Sequence, residues 1–188
     1  PTTGPLPAME DGDRGWMRGW LHASDILKWD ASSGDDWRQH GFTSAHLLPS
    51  QGIIRGHAAW LSLNGLPLGE ALLERGGRQV FSLRNQLSRG YPRTPMSALA
   101  ALRQAALDEE LATRFQRYQN ADLANLANGI YLANSTREIE NVLDLLRDYR
   151  NNEDAIIFGG RDAWKHAERL REQNVGVIFV LDLEDEPK

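Results

Sequence analysis

From residue 128 onward the apolar positions of this chain fall into short blocks separated by helical spacing. Ile130-Tyr131-Leu132-Ala133, Ala155-Ile156-Ile157-Phe158 and residues 175–181 are nearly unbroken apolar runs of strand length. Between the first two, Ile139, Val142, Leu143, Leu146 and Tyr149 share one face of a helix. Between the second and third, Trp164, Ala167 and Leu170 do the same. Ser135-Thr136-Arg137-Glu138 opens the first of these helices with the form of a capping box, in which a hydroxyl and a carboxylate satisfy free backbone N–H groups. Residues 128–183 are therefore expected to form a β-α-β-α-β unit. Strands apolar on both faces and alternating with helices indicate a parallel sheet covered by helices. Right-handed crossovers of this kind build a doubly wound sheet or a β/α barrel.

Upstream the pattern is less regular. Thr94 is a plausible N-cap and Pro95 suits a first helical position. Leu99, Leu102, Ala106, Leu111, Phe115 and Tyr118 then fall near helical spacing, predicting a helix over residues 94–119. Residues 42–48 read as a strand closed by Pro49, residues 56–63 as a second, and residues 79–83 as a short third. Asn64-Gly65 is a turn dipeptide. A short helix over residues 35–41 starts at Asp35 and Asp36 and stops at Gly41, and residues 84–94 are polar and irregular. Residues 1–36 read as an arm with one short helix at residues 23–27, broken elsewhere by prolines and glycines. Trp16, Trp20, Trp29 and Trp37 are expected to pack this arm on a core. A sugar-stacking platform is the rarer use of such rings.

Composition narrows the class. With 41% hydrophobic and 25% charged residues, the 188-residue chain reads as one globular α/β domain with an N-terminal arm. A net charge of -5 argues against nucleic acid or an anionic membrane as the main partner. No apolar run approaches the ~20 residues of a membrane span. The absence of cysteine excludes disulfides, thiolate metal sites and cysteine nucleophiles. The chain opens on Pro1, which reads as a processed terminus or, preferably, as a segment of something longer.

Candidate chemistry is sparse. His46 lies near the end of a predicted strand, where barrel active sites form, and His57 follows in a glycine-rich stretch facing the same mouth. Each competes with the ordinary reading of a partly buried histidine. His22, His40 and His166 fall in the arm, at a helix end and on a surface helix. Arg55, Arg84, Arg89 and Arg93 flank irregular loops and suit an acidic substrate or plain surface charge. Gly159-Gly160, at a strand-to-helix turn, can cradle an anion or allow close packing, without the full phosphate-binding pattern. The acidic run 182–186 lacks the spacing of a calcium loop. No G-x-S-x-G elbow is present.

Several short stretches, in order over residues 20–183, resemble the imidazolonepropionase-like metal-dependent amidohydrolases. Gly41-Phe42-Thr43-Ser44-Ala45-His46-Leu47-Leu48-Pro49, followed by Gly52-Ile53-Ile54-Arg55-Gly56-His57-Ala58-Ala59, is similar to a strand, a glycine-rich loop and an "I-x-G-Q-x-A" segment, with His57 in place of Gln. Arg89-Gly90-Tyr91-Pro92 and the helix from Pro95 resemble "YP-x-S-x-M". The run from Ile130 to Ser135 resembles a barrel strand that often carries a metal-binding histidine. Gly159-Gly160-Arg161-Asp162-Ala163-Trp164 resembles "GG-x-E-A-[YW]", and Val175-Gly176-Val177-Ile178 resembles "V-P-V-I". The resemblance implies a TIM barrel with one or two divalent metals, zinc or manganese, held by a His-x-His pair, two later histidines and an aspartate. The metal would activate water against an amide-like C–N bond.

The departures are equally specific. The chain has no His-x-His, and Asn134 and Gly159-Gly160 stand where ligand histidines would sit. An amide oxygen does not replace imidazole for zinc. Against the ~250 residues of a full barrel, the chain reads as a partial or degenerate one. The expectation is an amidohydrolase-like segment that is non-catalytic on its own and carries no cofactor. The alternatives are part of an active metal-dependent hydrolase and a small-ligand binding module. The binding positions expected at a strand-end pocket are His46, Arg55, His57, Asn134, Ser135, Gly159 and Gly160. Open parallel edges favour a homo-oligomer, or pairing with the missing remainder of a barrel. The resemblance alone suggests an extracytoplasmic place.

Overall fold

A computed structural model describes residues 15–30, 32–84, 91–115, 126–149 and 154–180. Two short helices, α1 (Ala23–Ile26) and α2 (Asp35–Gln39), precede the strands β1 (Ser44–Leu47), β2 (Ile54–His57) and β3 (Ala59–Ser62). Then come α3 (Leu68–Ala71), β4 (Leu72–Glu74), β5 (Gln79–Ser82) and the long α4 (Pro95–Phe115). The chain continues through β6 (Gly129–Ala133), α5 (Thr136–Tyr149), β7 (Ile156–Gly159), a 3-10 turn at Ala163–His166, α6 (Ala167–Glu172) and β8 (Gly176–Phe179). The predicted helix beyond residue 115, the acidic run 182–186 and the first part of the arm lie outside the described residues.

The strands make two open sheets. One has the order β2-β5-β6-β7-β8, the other β1-β3-β4. β5, β6, β7 and β8 run parallel, as the β-α-β-α-β pattern predicts. β2 runs antiparallel to β5, and the smaller sheet is antiparallel throughout. The parallel expectation is thus corrected for the first half, and the described strands close no barrel. The cause is connection length: parallel neighbours need a crossover of a dozen or more residues, and the links among β1 to β5 are too short. α4, α5 and α6 supply such crossovers farther on.

The run over residues 56–63, read as one strand, is two strands in different sheets. Ala58 is the corner between them. Its N–H donates to Arg78 O (2.9 Å), and its carbonyl accepts from the Gly77 N–H (3.0 Å). The sequence pattern also did not anticipate α3 and β4.

Helices cover one face of the larger sheet. Phe81, Tyr131 and Ile157 face Leu99 and Leu102 of α4, Ile139, Val142, Leu143, Leu145 and Leu146 of α5, and Leu170 of α6 in one core. Each such buried side chain contributes about 1.5–3 kcal/mol. Strand alternation sends Val80 and Ile130 to the other face, where they pack with Ala58 and the half-buried Leu132, Ile156 and Phe158. Trp164, expected on the apolar face of its helix, is instead 71% exposed; Ala163 and Leu170 do that packing. No helix among the described residues is long and apolar enough to cross a membrane.

Residues 15–22 run along the outer edge of β2 without forming a named strand. The N–H groups of Ile53 and Ile54 donate to Trp16 O, Arg18 N–H donates to Ile54 O, and His57 N–H donates to Leu21 O (2.6 Å). Gly56 makes this approach possible. Its φ is 102°, and a Cβ there would stand 2.2 Å from Leu21 O.

Candidate functional site

The parallel register carries Ser82, Ala133, Gly159 and Phe179 to one end of the sheet. In open α/β sheets this C-terminal end is where ligands bind. β2, running the other way, begins at the same end, where Ser82 N–H donates to Ile53 O (2.9 Å). Arg55 joins the site from β2. Its Nε–H donates to Gly52 O (3.3 Å), which turns the guanidinium back toward that end.

The next strand connection is held by charge. Glu138, on the first turn of α5, accepts from the N–H groups of Asn134 and Ser135 (3.1 Å each), and Ser135 Oγ accepts from Glu138 N–H (3.4 Å). The capping box read in the sequence is therefore built. Arg84, just past β5, pairs its Nε with the same carboxylate. Burial works against the charge on Glu138, but the Ser135 N–H, the Arg84 guanidinium and the Asn134 N–H outweigh it. The carboxyl is held below its usual range.

After β7 the chain turns sharply. Gly160 N–H donates to Ala133 O (2.9 Å) and Asp162 N–H to Asn134 O (3.0 Å). Gly159 has φ 108°, and a Cβ there would meet the Asn134 side-chain oxygen at 2.4 Å. Asp162 accepts from the N–H and hydroxyl of Thr136 (2.9 and 3.0 Å) and pairs with Lys165 (3.3 Å). The Thr136 backbone N–H and hydroxyl, then Lys165, draw the Asp162 carboxyl below its usual range.

Arg55, Asn134, Ser135, Gly159 and Gly160 thus share one end of the sheet. His46 and His57, expected beside them, do not. His57 pairs with Gln79 at the start of β5, the opposite end. It donates Nδ1–H to Gly77 O (2.9 Å) and stacks on His22 with ring centroids 5.0 Å apart. His46 belongs to the smaller sheet, opposite Trp60, with ring centroids 5.3 Å apart. Desolvation lowers its pKa, with Glu74 opposing and Arg78 assisting. The antiparallel course of β2 places His57, since it puts the end of that strand beside the beginning of β5. Ser82 and Asp162 were not singled out in the sequence. Their signal was positional: each closely follows an apolar run.

The donors at this end do not fit a divalent metal. Glu138 and Asp162 are committed to N–H groups, a hydroxyl and cations, and Ser82 Oγ exchanges bonds with the Arg84 backbone (3.1 Å each way). Among the described residues no three histidine or carboxylate groups gather as a metal site. No imidazole stands beside Ser82 to act as its base. The arrangement offers hydrogen bonding and positive charge rather than proton transfer.

The fold matches that of a solved amidohydrolase from Thermotoga maritima MSB8, with a TM-score of 0.59 and 15% sequence identity. The match covers 84% of this chain and 45% of that one, so the chain spans less than half the length of that protein. No protein-family model and no curated protein matches the chain. The mixed α/β architecture is amidohydrolase-like in fold.

Proposed function

We propose that the chain is a segment of the imidazolonepropionase-like amidohydrolase kind, with partial-barrel architecture, and that it performs no hydrolysis on its own. One observation carries this reading. Ser82, Asn134 and Gly159 occupy the C-terminal strand ends, while His46 and His57 lie away from them. Zinc or manganese chemistry on water needs imidazole or free carboxylate donors at that end. The test is metal retention: the chain is incubated with zinc and manganese, dialysed and weighed for metal by mass spectrometry, with hydrolysis of N-acyl amides assayed alongside. No retained metal and no metal-dependent hydrolysis are expected. Stoichiometric retention with amide cleavage would overturn the reading.

The partner in this reading is a second copy. β8 ends the larger sheet, and Ile178, Phe179 and Val180 are exposed along it. No charge or proline blunts residues 176–180, the usual protection of an edge strand. Light scattering that stays monomeric as concentration rises would remove this partner.

A further inference from the structure

Arg55 is only 4% exposed, yet no carboxylate among the described residues pairs with it. Its one recorded hydrogen bond is the 3.3 Å contact from Nε to Gly52 O. A guanidinium keeps its proton in proteins and carries five N–H donors. Burying such a charge unpaired costs several kcal/mol, so buried arginines are ordinarily matched by a carboxylate. Here desolvation alone acts on the group, lowering its pKa with no charged neighbour to offset it.

The sequence around Arg55 shows that the protein does not supply the match locally. No Asp or Glu occurs between Asp36 and Glu70, or between Glu74 and Asp108. Residues 37–107 hold eight arginines against two glutamates, in a chain whose net charge is -5. None of the five strands of the larger sheet contains an acidic residue. Arg84, the other arginine at this end, is already neutralised by Glu138.

We infer that Arg55 anchors a binding site for a small organic carboxylate at the C-terminal end of the larger sheet. The planar fork of a guanidinium takes a carboxylate through two parallel N–H···O bonds, and one positive charge matches one negative charge. A phosphate dianion needs a second cation, and Arg84 is committed. The inference goes beyond the proposed function and stands whether or not the chain hydrolyses anything.

The test is thermal unfolding of the full chain near neutral pH and at constant ionic strength, in sodium acetate, propionate, phosphate or chloride. A ligand that binds only the folded state raises the midpoint by mass action. Wild type is expected to show a saturable rise in acetate and propionate and none in phosphate relative to chloride. Arg55→Met should lose that rise while unfolding in chloride no earlier than wild type, because a buried charge replaced by an apolar chain of similar length is neutral or stabilising. Arg55→Lys, which keeps the charge but not the fork, should bind about tenfold more weakly. A rise undiminished in Arg55→Met would place the anion elsewhere, and a larger rise in phosphate than in acetate would overturn the carboxylate class. Should Arg55→Met not fold, calorimetric titration of wild type with propionate decides. Saturable heat that weakens in Arg55→Lys supports the site, and no heat refutes it.

Discussion

Residues 126–180 build β6, β7 and β8 from apolar runs separated by helices, whereas residues 15–84 reach the same sheet through an antiparallel strand, a register shift at Ile54/Gly56 and an edge segment that never becomes a full strand. The first region is held by volume: five side chains of α5 are fully buried. The second is held by close backbone approach, in which Trp16, Arg18 and Leu21 exchange hydrogen bonds with β2 across a glycine. A core of the first kind tolerates shape changes at a graded cost. A contact of the second kind fails at the addition of one methyl group.

Three substitutions bear on this difference. Leu143→Ala, in the centre of the α5 face, should cost about 4 kcal/mol through lost transfer energy and the cavity left behind. Urea unfolding should show one transition displaced as a whole; a loss below ~1 kcal/mol would mean that α5 is not the keystone of its half. Gly56→Ala should cost about 3 kcal/mol, combining a left-handed backbone with a Cβ pressed on Leu21 O. If the two halves are independent, this variant frees residues 15–22 to exchange their amide hydrogens while those of α5 stay protected. Uniform loss of protection in both would join the halves into one cooperative unit.

Glu138→Gln is the mildest, at about 1–2 kcal/mol for a weakened cap and a lost ion pair. It also carries a pH signature. The folded pKa of Glu138 lies below its unfolded value, so the carboxylate contributes stability above the unfolded pKa, and this is lost as pH falls through the folded one. Wild type and Glu138→Gln should differ most at neutral pH and converge in acid. Curves that stay parallel to acid pH would show that the charge on Glu138 does not matter.

The regular half was largely legible in the sequence because its signals are local. Apolar runs set β6, β7 and β8, and Ser135 and Glu138 set the start of α5. The other half was not, because its geometry depends on pairing direction. Nothing in residues 56–63 marks Ala58 as a corner between sheets, and the sequence does not say that β2 runs against β5. That single reversal separated His57 from Asn134 and Gly159, and His46 went into the other sheet altogether. Arg55 was a candidate only as one arginine among several. What sets it apart is burial without a counter-charge, and the nearest trace of that in the sequence is the long interval free of Asp and Glu.

The segment along β2 has a consequence for assembly. Because residues 15–22 occupy the outer N–H and C=O groups of β2, the larger sheet has one sealed edge and, among the described strands, one open edge at β8. A sheet with two open edges can add copies head to tail without limit, which is the geometry of fibres. A sheet with one behaves as a unit of single valence: joining through β8 uses the same surface on both partners, so growth stops at a closed pair.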